Sequence, residues 1–186
     1  MSASLEFRRG ARSEIRTPAF AELLDWWLAR RGDRRVLARA DFHPEELARW
    51  WRHLSLFRVE RPAELSRDRY KYAYHGLKPI EYDGGDFTGR YLDDVLPPRL
   101  YAAVAAVNGT ACERLSPLYT FRVVDSRGGF PVGLERLLIP LSSDRIVADR
   151  LLVLANRHSA KDVAYSDIDA AGSAFVMDTL VAMAFD

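Results

Sequence analysis

The chain changes its hydrophobic period at Leu54, and that change limits the folds open to it. Before Leu54 the apolar residues recur at helical spacing. Phe20, Leu23, Leu24, Trp27 and Leu28 share one helical face behind a Thr17-Pro18 start, and RRGDRR (30–35) stops the helix at Gly32. A second helix is expected from DFHPEEL onward, with Leu47, Trp50, Trp51 and Leu54 on one side. After Leu54 the pattern alternates. LSLFRVE (54–60) and DRYKYAYHG (68–76) read as strands, with Tyr70, Tyr72 and Tyr74 on one side of the second.

A helix follows in VLPPRLYAAVAAVNGTACERL, where Leu100, Val104, Val107, Ala111 and Leu115 form its stripe. Three more strands are expected in PLYTFRVVD, FPVGLERLLIPLS and RIVADRLLVLA, joined by turns short enough for antiparallel neighbours. The last segment, SDIDAAGSAFVMDTLVAMAF, starts with a Ser-x-x-Asp cap and reads as a helix apolar on most faces. Two strands, a helical crossover and three antiparallel strands make an α+β layer arrangement, and the lack of βαβ alternation excludes a dinucleotide-binding fold. The expected organisation is a flexible basic tail (1–17), N-terminal helices (18–54), a core (55–157) and a C-terminal helix (158–186).

Composition narrows the function. A formal net charge of +1 on 186 residues gives no general attraction to nucleic acid or anionic lipid. Cys112 is the lone cysteine, which rules out an internal disulfide and a cysteine-type zinc site. Arg8, Arg9, Arg12 and Arg16 are followed by no apolar segment of the signal-peptide kind, and no apolar run is long enough to span a membrane. A cytoplasmic protein with no membrane partner is therefore expected.

YDGGDFTGRYLDDV (82–95) invites a phosphate or metal reading, and its chemistry excludes both. Gly89 is followed by Arg90 and Tyr91 where a phosphate loop needs Lys and Ser or Thr, and the acids lack calcium-loop spacing. A turn fixed by Asp86 and Thr88 side chains is the expectation. The four histidines show no metal-ligand spacing. His158 with a Ser and an Asp would make a triad only on paper, since no nucleophile elbow is present. Arg122 and Arg136 lie in otherwise apolar strands, so each must reach solvent, pair with an acid or hold an anionic ligand. Tyr72, Tyr74 and His75 either pack as one strand face or line a ligand cavity.

Over residues 20–155 the chain resembles the PAS-like family of small stand-alone bacterial proteins. The resemblance is carried by WWLARRGDRR, LARADFHPEEL, YAYHG, GGDFTGRYLDDV and GLERLLIPL, in that order. It departs from the family at Ala73, where an Arg is usual, and at LARAD, which lacks the usual preceding Pro. What the resemblance implies is a PAS fold: a five-stranded antiparallel sheet with short helices over one face, serving sensing or protein interaction without catalysis. Haem-binding relatives use a His on the longer helix, and flavin photosensors use a Cys in a Gly-x-Asn-Cys-Arg context. Residues 97–115 contain no His, and Cys112 lies in NGTACERL, so the cofactor is left unassigned.

The leading expectation is thus a sensor or adaptor that binds an unidentified small molecule and a signalling partner, through Tyr72, Tyr74, His75, Arg122 and Arg136. The alternative is a small α+β enzyme of isomerase or dehydratase type using His75 and a carboxylate. A homodimer is expected from the terminal helices, with Trp26, Trp27, Phe175, Val176, Leu180 and Met183 at its interface.

Overall fold

Residues 4–125, 131–159 and 179–185 are described by the computed structural model, a mixed α+β protein with a mostly antiparallel sheet. The strands are β1 (Ser4–Arg9), β2 (Leu37–Ala38), β3 (Leu54–Glu60), β4 (Arg69–His75), β5 (Leu118–Asp125), β6 (Pro131–Ser142), β7 (Ala148–His158) and β8 (Thr179–Ala184). They join in the order β1-β8-β5-β6-β7-β3-β4, with the short β2 beside β6. Helix α1 (Pro18–Arg31) and a 3₁₀ helix (Pro44–His53) precede the core, while α2 (Leu77–Asp83), α3 (Leu92–Val95) and α4 (Pro98–Arg114) lie between β4 and β5. The change of period at Leu54 is therefore the start of β3, and the crossover falls where the sequence places it.

Each face of the sheet buries its own apolar layer. Phe57, Val59, Tyr70, Tyr72, Leu138, Leu151 and Val153 pack beneath α4, which contributes Tyr101, Val104, Val107, Ala111 and Leu115. The opposite face buries Leu54, Tyr119, Leu137, Ile139, Leu152 and Leu154 under Phe20, Leu23, Leu24 and Trp27 of α1 and Trp50 of the 3₁₀ helix. Alternate residues of the central strands are apolar in both directions, as a sheet covered on both faces requires. The α4 stripe is buried as expected at Val104, Val107, Ala111 and Leu115 and differs at its entry, where Tyr101 is buried and Leu100 is exposed.

Five hydrogen bonds to one carboxylate place α1. Glu135 on β6 is fully buried on the α1 face. It accepts from the Arg16 and Thr17 backbone N–H groups at 2.9 Å each, from the Tyr119 hydroxyl at 2.9 Å, from the His158 Nε2–H at 2.6 Å and from the Thr17 hydroxyl. Asn156 donates to the same Thr17 hydroxyl at 2.9 Å. His158 is thereby an anchor for Glu135 and joins no triad.

Four expectations are corrected. The 1–17 segment carries strand β1, which runs parallel to β8, and its arginines are engaged: Arg8 pairs with Glu14, and Arg12 with Asp25. The C-terminal helix does not extend through 179–184, because these residues form β8 and place Leu180 and Met183 in its register with Leu5 and Arg8. Phe175 and Val176 lie outside the described residues. Trp27 is completely buried in its own chain and so is internal, while Trp26, which packs edge-on to Phe42 at 5.3 Å, is only partly buried. The fourth concerns the tyrosine stripe. Tyr72 pairs with Phe57 while Tyr74 pairs with the adjacent Leu56, leaving Ala73 as an extra residue, a β-bulge. The bulge turns Tyr74 to the α1 face, where its ring meets Trp51 at 4.9 Å, and returns His75 to the face of Tyr70 and Tyr72.

Two outcomes follow. A Cβ on Gly76 would stand 2.5 Å from the Leu54 carbonyl oxygen and 2.6 Å from that of Trp51. Gly76→Ala should therefore destabilise by about 1–3 kcal/mol, seen as a fall of roughly 2–4 °C in Tm per kcal/mol for a chain of this size; an unchanged Tm would refute the close approach. Burial works against the Glu135 carboxylate, yet the hydrogen bonds from Thr17, His158 and Tyr119 prevail and hold its pKa below the ordinary value. A depressed folded pKa gives stability that is present above about 4.3, the unfolded value, and is lost as pH falls through the folded value. Glu135→Gln should lower stability at neutral pH by about 2 kcal/mol and flatten the acid limb in urea unfolding measured from pH 2 to 7. An acid limb as steep as that of the wild type would rule out this role.

Candidate functional site

The apolar layer beneath α4 is interrupted by two cationic side chains on β5 and β6. Register sets Thr120 opposite Arg136, and Arg122 lies two residues beyond Thr120 on β5, so Arg122 and Arg136 are diagonal neighbours on the α4 face. Arg136 donates from Nη2 to Asn108 Oδ1 of α4 at 3.1 Å. A guanidinium can only donate, so this contact fixes which end of the amide faces it. The other end, Asn108 Nδ2, is then buried with no hydrogen-bond partner among the described residues. Arg122 makes no hydrogen bond or ion pair to a described residue. Burial pushes both guanidinium groups below their ordinary pKa, and for Arg136, where the charge of Arg122 adds to burial, the value falls to about 10.

An aromatic group adjoins these arginines. Tyr72 packs on Phe57 at 4.4 Å and on His75 at 4.8 Å, and His75 stacks on Phe87 at 5.4 Å. Both nitrogens of the buried His75 ring are committed. Nδ1 accepts the Phe87 N–H at 3.1 Å, which leaves Nε2–H to donate to Asp83 at 3.2 Å. Asp83 also lies 3.9 Å from Arg157. Tyr72 and Asp83 are close enough to act electrostatically on Arg136, and burial raises the Tyr72 hydroxyl above its ordinary pKa.

The Gly-rich loop is a turn, and His75 helps to hold it. Gly84 caps α2 in the left-handed region at φ 81°, and Asp86 Oδ1 accepts from the Thr88 N–H at 2.9 Å and from its hydroxyl at 2.7 Å. The Gly89 N–H then reaches the Tyr72 carbonyl at 2.8 Å, and the Tyr72 N–H the Arg90 carbonyl at 2.9 Å, so the loop pairs along the outer side of β4. Cys112 is buried in α4, and burial pushes its thiol up to about 12, the state of an inert side chain.

Of the residues the sequence singled out, Tyr72, His75, Arg122 and Arg136 share the α4 face, and Tyr74 does not. Two participants were missed. Asn108 stands four residues from both Val104 and Cys112 on the buried stripe of α4, and a polar residue on such a stripe was the available signal. Asp83 carried no comparable signal, because its meeting with His75 depends on the fold of α2. Among the described residues no cluster of His, Cys, Asp or Glu could hold a metal ion, and no helix is long and apolar enough to cross a membrane. An open groove of about 570 Å³ runs along another side of α4, between Arg67, Tyr70, Tyr101 and Ala105, and includes none of these site residues.

Comparison with protein families finds no match, and no curated protein matches the chain. Seven chains of known structure do match. One of them, "VqmA bound to DPO", has 10% sequence identity and a TM-score of 0.44 over 69% of this chain. The match spans 61% of the length of that protein's chain. Likeness at that level is too low to transfer a ligand or a role to this protein.

The Arg136–Asn108 contact can be weighed by substitution. Asn108→Leu leaves Arg136 without its acceptor and should cost about 1–3 kcal/mol. Arg136→Met combined with Asn108→Leu removes both polar groups and should recover most of that loss. Urea unfolding of the two single variants and the pair measures the coupling; additive losses would show that the two groups do not act together.

Proposed function

We propose that this protein is a PAS-type sensor or adaptor whose small-molecule site lies between the sheet and α4. Three features support the reading. Strands β4-β3-β7-β6-β5 run as consecutive antiparallel neighbours within an eight-stranded sheet that β8 and β1 extend beyond β5, and this run supports the five-stranded core that the motif resemblance implies. The short helices α2 and α3 and the longer α4 all fall between β4 and β5, and α3 and α4 bury side chains on one face of that sheet. The observation that carries the proposal is the incomplete polar cluster on that face: a buried amide nitrogen with no partner and an arginine with none among the described residues. Native proteins leave few buried polar groups unmade, and those they do leave call for an explanation such as a ligand.

The output route in this proposal is β6. Arg136 faces α4, and Glu135, the preceding residue, holds the start of α1. A ligand that takes the Arg136 and Asn108 donors shifts how α4 sits on the sheet, and β6 passes the change to α1 and a signalling partner. An enzyme using His75 and a carboxylate gains a 3.2 Å contact to Asp83. The Phe87 N–H nevertheless occupies the other ring nitrogen, so the pair orders the loop and leaves no nitrogen for proton transfer.

Mass spectrometry of small molecules released on denaturing the purified protein, with thermal-shift screening of the same preparation, tests the proposal. A released or added compound should raise Tm, and hydrogen exchange should then slow in α4 and at the start of α1. A preparation that releases nothing and responds to no compound would contradict the sensor reading.

A further inference from the structure

We propose that the molecule bound between α4 and the sheet carries a carboxylate, gripped by Arg122, Arg136 and the Asn108 amide. This assignment rests on the small-molecule reading above and names the chemistry of its ligand. The first reason is charge. Arg122 and Arg136 bring two positive charges to adjoining strands, and neither forms an ion pair with any described acid. Asp83, the acid that acts on Arg136 from a distance, is already engaged by His75 and Arg157. Two like charges in a partly buried layer repel, and an anion between them removes that cost.

The second reason is donor geometry. Toward the described residues, Arg136 uses one Nη2 hydrogen on Asn108 and keeps the rest of its planar fork, Arg122 keeps its whole fork, and Asn108 Nδ2 keeps both of its hydrogens. Each donor therefore seeks an acceptor. A carboxylate offers two oxygens in one plane with lone pairs enough for these donors, and it pairs with guanidinium in a two-pronged fashion. A neutral hydroxyl or amide would leave at least one guanidinium uncompensated.

The third reason is the remainder of the ligand. Tyr72 acts on Arg136 and packs against the Phe87 ring at 5.9 Å, and Val104 and Val107 of α4 belong to the same apolar layer. An organic acid with a short apolar or aromatic body fits that lining better than a free inorganic anion, whose hydration the rings could not replace. Arg122 and Arg136 are each only partly buried, so the arginine end of the cluster is the side nearer solvent, whereas Asn108 is fully enclosed.

The test uses isothermal titration and thermal shift on the full chain. Benzoate and succinate are the probes, benzamide and succinamide their uncharged counterparts, and sodium phosphate the inorganic control. At least one carboxylate should bind and raise Tm while its amide does not. Arg122→Gln, which breaks no contact to a described residue, should weaken that binding by about ten- to a hundredfold with Tm of the free protein nearly unchanged. Asn108→Asp, which sets a negative charge beside Arg136, should abolish binding. Amides that bind as well as the acids, or an Arg122→Gln variant of unaltered affinity, would overturn the carboxylate assignment and leave the sensor reading standing. Phosphate binding tighter than either acid would also overturn it. If neither acids nor neutral compounds bind and nothing is released from the purified protein, both readings fall.

Discussion

The carboxylate of Glu135 is a charge placed out of reach of water, and the position of the whole N-terminal segment depends on how it is satisfied. A buried carboxylate without donors costs several kcal/mol. Here the donors come from α1's start, from β5 and from β7, so one side chain on β6 fixes three elements together. Thr17 shows the consequence locally. It stands at the cap position of α1, yet its hydroxyl turns to Glu135 and caps nothing. Pro18, with no N–H to satisfy and a φ already suited to a helix, occupies the first helical position.

Consecutive residues of a strand face opposite ways, so β6 presents Glu135 to one layer and Arg136 to the other. The two residues make a useful contrast. Glu135 has every lone-pair direction used, by groups that belong to the fold, and that is the signature of a structural charge. Among the described residues Arg136 has one hydrogen bond, to an amide that is itself half satisfied, beside a second arginine without a described acid. Burial alone would have ranked Glu135 as the stronger functional candidate. Counting the partners reverses that ranking.

The strands of the core and α1 were legible because hydrophobic period and caps agree there: β3 covers LSLFRVE as read, and α1 runs from Pro18 to the Gly32 stop. Three features were not. TLVAMA in β8 is apolar in both parities, and a short run of that kind has no period with which to tell strand from helix. SLEFRR in β1 pairs in parallel with that same distant segment, so its basic residues read as a tail until the partner is known. The bulge at Ala73 carries neither Gly nor Pro to announce it, and a single extra residue suffices to move Tyr74 to the other face. For the site, the arginines stood out as charges in apolar strands. Asn108 was missed although its place on the helix stripe, four residues from both Val104 and Cys112, was the informative fact.

That place has a further meaning for α4. Asn108 and Gly109 are both weak helix formers, with Gly about 1 kcal/mol less favourable than Ala. A Cβ on Gly109 would meet the Tyr70 hydroxyl at 3.4 Å, an ordinary contact, so the helix lies against β4 at this turn with room for a small side chain. The next residue, Thr110, returns its hydroxyl to the Ala106 carbonyl at 2.9 Å, a bond that competes with the helical ladder and tends to bend it. The turn of α4 that touches Arg136 is thus its intrinsically weakest, and it stays helical because Val104, Val107, Ala111 and Leu115 are buried on either side. Apolar packing at its flanks fixes where the helix lies, while the polar contact at its centre remains incomplete. In the sensor proposed above, a bound group that completes this contact acts on α4 at the turn least held by its own helical propensity.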